Sequence, residues 1–199
     1  MTKPAFECTT VTLFASRNRL LRNLRKALLV CFVPLLYCGV AAKVPDCGLV
    51  CEVYGGLLLA TERELIGSIR TLEKVAKPVA GPRNTRGRWV QREVYLGPEA
   101  YDTIFYLRNG LVQRIELTST APDVRCRSRA PWAATVAVLG AWQGKDPVTG
   151  KLDTGSSVQQ SSHWASDDLD VSVYLLLTAE TCTTKVVFKK REAKDATVL

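Results

Sequence analysis

The 199-residue sequence predicts an α+β protein: two tandem α-β-β-β units forming an antiparallel sheet, with one helix per unit, behind an N-terminal signal helix. Three observations lead there. Thr61 and Glu64 stand three apart, as a capping box does, ahead of apolar residues at helical spacing. Asn109-Gly110 separates two alternating runs, the two-residue signal of a type I′ hairpin. Finally, the order helix, long loop, three strands recurs: laying Val90-Gln91 on Val158-Gln159, an offset of 68 residues, aligns 101–107 with 169–175.

The chain carries 27 Lys and Arg against 19 Asp and Glu, a net charge of +8. Six of the basic residues and one acid, Glu7, fall in 1–42, which leaves +3 for 43–199. Basic residues 17–26 precede an uncharged, largely apolar run, 27–42, that ends in small residues. This is the order of a secretory signal peptide. At 16 residues the run is shorter than the roughly 20 a spanning helix needs, and it contains Pro34. Residues 1–42 are therefore expected to be removed after Ala42. Residues 43–199 then form a single secreted α+β domain, with pseudo-repeats at about 61–119 and 131–191. The expected location is periplasmic or extracellular. Nucleic acid is not expected as a partner, because export and a charge of +3 both argue against it. Membrane contact is expected only through an uncleaved signal segment.

Seven cysteines become four once the leader is gone: Cys47, Cys51, Cys126 and Cys182. An even number in an oxidising compartment reads as two disulfides, and sequence permits three connectivities. The reading leans to Cys47 with Cys51, a small loop, and Cys126 with Cys182, a long-range tie. The Cys-x-x-x-Cys spacing does not suit a thioredoxin-type redox pair, and no second Cys and His cluster supplies metal ligands. No metal and no cofactor are expected.

From Thr61 the apolar positions Leu65, Ile66, Ile69, Leu72 and Val75 extend a helix toward Pro78. A basic loop, 81–88, leads into a strand at 89–96. Strands at 101–108 and 111–119 flank Asn109-Gly110. Counted from a two-residue turn, Phe105 faces Arg114 and Ile104 faces Ile115. One face then carries Ile104, Tyr106, Ile115 and Leu117, and the other Phe105, Leu107 and Val112. A second helix begins at Pro131 with Trp132, Val136, Leu139 and Gln143 on one face. A polar loop, 143–156, follows, and then strands at 158–164, 170–177 and 184–191.

For chemistry, Leu152-Asp153-Thr154-Gly155-Ser156-Ser157 resembles the active-site turn of aspartic proteases over six residues, which implies a carboxylate sharing a proton with a second Asp. Lys151 stands where that family has an apolar strand, and 144–151 reads as loop, so a loop is the expectation here. His163 is the one histidine and sits beside Ser162. Neighbours on a strand point to opposite faces, so their adjacency makes no dyad. No catalytic residue is assigned. Arg83, Arg86, Arg88, Trp89 and Arg92 are the candidate binding residues: arginines interleaved with an aromatic suit an anionic partner surface. The expected function is a secreted, non-enzymatic protein-binding module of inhibitor, immunity or accessory type, with an envelope or secreted protein as partner. The alternatives are a small periplasmic hydrolase using Asp153 or His163 with a carboxylate such as Asp167 or Asp170, and a cell-envelope assembly factor.

Overall fold

The computed structural model describes residues 47–166 and 168–191. The expected leader at 1–42 and the carboxylate Asp167 lie outside them. The described chain runs α1 (Gly48–Leu57), α2 (Glu62–Ser68), β1 (Leu72–Ala80), β2 (Arg86–Leu96), β3 (Glu99–Arg108), β4 (Leu111–Ser119), α3 (Asp123–Arg127), α4 (Ala130–Gln143), β5 (Val148–Asp153), β6 (Ser157–Ala165), β7 (Leu169–Thr178) and β8 (Cys182–Lys190). All eight strands join one antiparallel sheet in the order β1-β2-β3-β4-β8-β7-β6-β5. The expected α+β class and antiparallel sheet are present, but the described residues hold four α-helices and eight strands where two and six were expected.

Local chemistry explains the differences. Thr61 Oγ1 accepts from the Glu64 amide, while the Glu64 carboxylate accepts from the Thr61 amide at 2.7 Å, so the capping box is formed. The helix nevertheless stops at Ser68. Leu72 and Val75, at helical spacing in the sequence, belong to edge strand β1. An edge tolerates Pro78 because no inner ladder needs its missing amide. The 143–156 segment, expected as loop, contains β5, which pairs in unbroken register with β6.

The β3–β4 hairpin turns at Asn109 and Gly110, both with positive φ as a type I′ turn requires. Arg108 pairs with Leu111 and Leu107 with Val112, but then Tyr106 meets Arg114, leaving Gln113 as a bulge. The extra residue corrects the expected register. Phe105 faces Ile115, and Ile104 faces Glu116. One slipped position moves every later side chain to the other face. Ile115 and Leu117 thereby join Phe105 and Leu107 in the core, and all four are buried.

The helices pack on one face of the sheet. Tyr54 of α1 meets Phe105 and Phe188 edge-on, and Trp142 of α4 lies 6.2 Å from Phe188. The buried face of α4 is Pro131, Thr135, Val138 and Leu139, rotated from the expected Trp132, Val136, Leu139 and Gln143. Trp132, Val136 and Trp142 are partly buried against its flank. Cys126 in α3 is joined to Cys182 at the start of β8, and Cys47 to Cys51 across the first turn of α1.

The two sheet edges differ. β1 carries Pro78, Lys74 and Lys77, and its pairing with β2 breaks between Lys74 and Val79. β5 pairs with β6 without a register shift, is exposed throughout and is free of proline.

Two core tyrosines give the fold a pH dependence. The Tyr54 hydroxyl donates to Gln91 Oε1 at 2.9 Å and lies 3.3 Å from Thr103 Oγ1, while Tyr101 contacts Thr135 Oγ1. Burial, against the smaller opposing effect of these hydroxyls, pushes both phenols from 10 up to about 12. A raised folded-state value means their contribution is intact below pH 10 and is lost as pH climbs toward 12. Alkaline unfolding is therefore expected in that window, costing roughly 2–3 kcal/mol per tyrosine. Circular dichroism read beside tyrosinate absorbance checks it: Tyr54→Phe should move the transition to higher pH, and an unmoved transition would contradict this account.

Candidate functional site

The five candidate binding residues do not converge. Arg83 sits in the tight turn 82–84, while the other four lie along β2, whose pairing with β3 shifts between Gly87 and Trp89 and again between Gln91 and Val94. Trp89 Nε1 donates to Glu62 at 2.8 Å, and Arg88 pairs with the same carboxylate at 3.4 Å. Both thus fasten β2 to α2. Arg92 is held by Asp102 at 2.6 Å and by Glu73 at 3.7 Å. Arg86 is exposed at the start of β2. A run of basic residues on a strand alternates faces, and bulges scramble it further, so only Arg88 and Trp89 of the run meet, at Glu62.

The residues proposed for catalysis are equally separate. Asp153 ends β5 at an exposed hairpin tip, where its carboxylate accepts from the Gly155 amide at 3.0 Å. Gly155 has φ +80, so the glycine serves the turn. His163 on β6 faces Ser172 on β7, with Nδ1 and Oγ 2.8 Å apart, and Tyr174 packs edge-on against the imidazole. This hydroxyl and imidazole are cross-strand neighbours. Ser172 is buried in an inner strand paired on both sides by β6 and β8. The surrounding strands β6, β7 and β8 are joined by continuous ladders. Among the described residues no group of three or more Cys, His, Asp or Glu is placed to hold a metal.

What the fold does assemble is the sheet face turned away from the helices. In β7, Val171, Val173 and Leu175 point into the core, so Ser172, Tyr174 and Leu176 point out, and the registers extend that outward row to Ser161 and Gln159 on β6, Gly150 and Leu152 on β5, and Lys185 on β8. Here apolar groups stand in the open: Val148 is 75% exposed, Leu152 56%, Tyr174 39% and Leu176 39%. Leu152, Tyr174 and Leu176 line a groove of about 590 Å³, with Lys151, Gln159, Ser161, Thr183 and Lys185 around them. Lys185 is fixed by Glu116 at 2.9 Å. An apolar centre with a polar and cationic rim is the anatomy of a protein-binding patch. The sequence carried one sign of it: β7 has apolar residues on both alternating sets, whereas a strand facing water on one side is polar on that side.

Compared with known proteins, the chain matches no family model, no curated protein and no solved structure.

Proposed function

We propose that the chain is a secreted, non-enzymatic protein-binding module of inhibitor, immunity or accessory type, and that it binds its envelope or secreted partner through the helix-free face of the sheet. The observation that supports this reading is the exposed set Leu152, Tyr174 and Leu176 around one groove. Tyrosine offers a large contact area at low entropic cost, and the flanking Lys151 and Lys185 favour a partner with an acidic margin. The two disulfides suit an oxidising compartment, and the charged-then-apolar order of 1–42 supports export into it. The strand order supports two tandem units, since it counts up through β4 and back down from β8, as two similar four-stranded halves joined at β4 and β8 would.

The test is affinity capture from the periplasmic extract of the source cell, comparing the native protein with Tyr174→Asp/Leu176→Asp. Both side chains are partly exposed, so the variant should keep its fold, checked by its melting temperature. Proteins retained by the native chain should fall at least tenfold on the variant. An identical captured set would overturn the proposed face.

The unbroken, proline-free edge at β5 favours a second reading, an assembly factor that accepts a partner strand. Thr149→Pro separates the two. It blocks strand addition and leaves Tyr174 and Leu176 in place, so loss of capture with Thr149→Pro alone would favour the edge.

A further inference from the structure

The described sheet ends at β5, and the side chains of that strand restrict what can pair with it. β5 meets β6 residue for residue from Val148 to Asp153, all of these residues are exposed, and the strand holds no proline and no register shift. An edge of this kind offers backbone donors and acceptors to a further strand. Its side chains decide which strand fits.

Successive residues of a strand point to opposite faces. Val148, Gly150 and Leu152 stand opposite His163, Ser161 and Gln159 of β6, which stand opposite Ser172, Tyr174 and Leu176 of β7. All three therefore belong to the sheet face turned away from the helices, and Thr149, Lys151 and Asp153 to the other. Val148 is 75% exposed and Leu152 56%. Leu152 lines the groove, whereas Val148 lies outside its lining.

A second copy of the same chain matches this pattern. Two copies of one strand pair antiparallel only about a two-fold axis normal to the sheet, because an axis along the strand would leave them parallel. The normal axis keeps equivalent faces on the same side. One residue then sits on the axis opposite itself, and residues equally distant from it face each other across the seam. Centred on Gly150, the seam pairs Val148 with Leu152 of the second copy, twice, and Thr149 with Lys151 of the second copy. Centred on Lys151, it would set two ammonium groups against each other, which is destabilising, and would oppose Val148 to Thr154, beyond the end of β5. Centred on Leu152, it would match Lys151 with Asp153 but keep only 151–153 of the strand in the seam.

We propose that the chain forms a two-fold dimer through β5, paired about Gly150, and that Val148 of the second copy packs beside Leu152 and extends the wall of the groove. The apolar set Leu152, Tyr174 and Leu176 is thereby repeated on either side of the seam, on one continuous face. The proposal rests on the edge reading given above and supplies its occupant. A seam over 148–152 is at the small end of specific interfaces, so a dissociation constant on the order of 10 μM is expected.

Sedimentation equilibrium of the disulfide-intact protein, from about 1 μM to about 1 mM, should give a monomer–dimer isotherm. Val148→Lys/Leu152→Lys sets like charges opposite each other and should raise the dissociation constant at least about tenfold. Val148→Lys/Leu152→Asp sets opposite charges in the same places and should recover most of that loss. Both positions are exposed, so each variant should keep the native melting temperature, and the difference between the two variants reads the register. A native chain that stays monomeric throughout, or two double variants that associate equally, would overturn the proposal. Tyr174→Asp/Leu176→Asp should dimerise as the native chain does. A monomeric native protein whose capture of other proteins is lost with Thr149→Pro would remove the dimer and keep the edge reading, so the two fail separately.

Discussion

Replacing Cys126 and Cys182 by alanine is expected to lower the stability of the folded chain by about 4 kcal/mol. The bridge closes a separation of 56 residues, and the loss comes mainly from releasing a large loop in the unfolded chain. The native contribution is positional: Cys126 is buried in short helix α3, which hangs on β8 through this bond and on the end of β7 and the turn after it through Arg127, whose guanidinium donates to the Thr178 and Ala179 carbonyls. Removing the Cys47–Cys51 bond, four residues apart, should cost about 2 kcal/mol on the same loop-entropy argument. Urea unfolding of the two double variants, with linear extrapolation to water, provides the comparison. Equal losses from the two bonds, or a larger loss from the short one, would show that loop closure is not the controlling quantity.

Phe188→Ala is expected to cost a similar amount, 3–5 kcal/mol as a rough range for deleting a buried phenyl ring. Phe188 is fully buried on β8, the strand that joins the first four strands to the last three, and it pairs with Ile115 on one side and Val171 on the other. Tyr54 and Trp142 close over it from α1 and α4. The cavity would therefore open where both halves of the sheet and both long helices meet, a place with little freedom to collapse. Leu176→Ala, on the exposed face of β7, should fall within about 0.5 kcal/mol of the native protein. A loss at Phe188 no greater than that at Leu176 would contradict the placement of the core.

The sequence made some elements plain because their signals are local. The capping box at Thr61 and Glu64 and the Asn109-Gly110 turn depend on a few neighbouring residues, and both are present as read. What escaped was decided by distant contacts. Leu72 and Val75 keep a helical spacing, yet pairing of 72–74 with 89–91 draws them into a strand. β5 hides in a run of Gly, Thr and Asp, and only its ladder with β6 makes it regular. The bulge at Gln113 leaves no sequence mark, but it decides which face Ile115 and Leu117 occupy.

The site was less legible for the same reason. Arg83 to Arg92 are contiguous in sequence, and the fold spends most of them on Glu62, Glu73 and Asp102. A cleft beside the β3–β4 hairpin takes only Arg83 from that run and draws Arg108, Arg114, Lys189 and Lys190 from elsewhere. Tyr174 and Leu176 were visible as apolar letters in β7, although nothing local said that none of the described helices covers their side of the sheet.

The unequal rims of the sheet set a limit on growth. A second molecule joining edge to edge at β5 would leave only two β1 strands facing outward, each interrupted by Pro78 and an unpaired kink. Neither offers a continuous row of amides and carbonyls to a third molecule. On the described residues, lateral addition through β5 would therefore terminate at a pair, which guards against fibre growth from that edge.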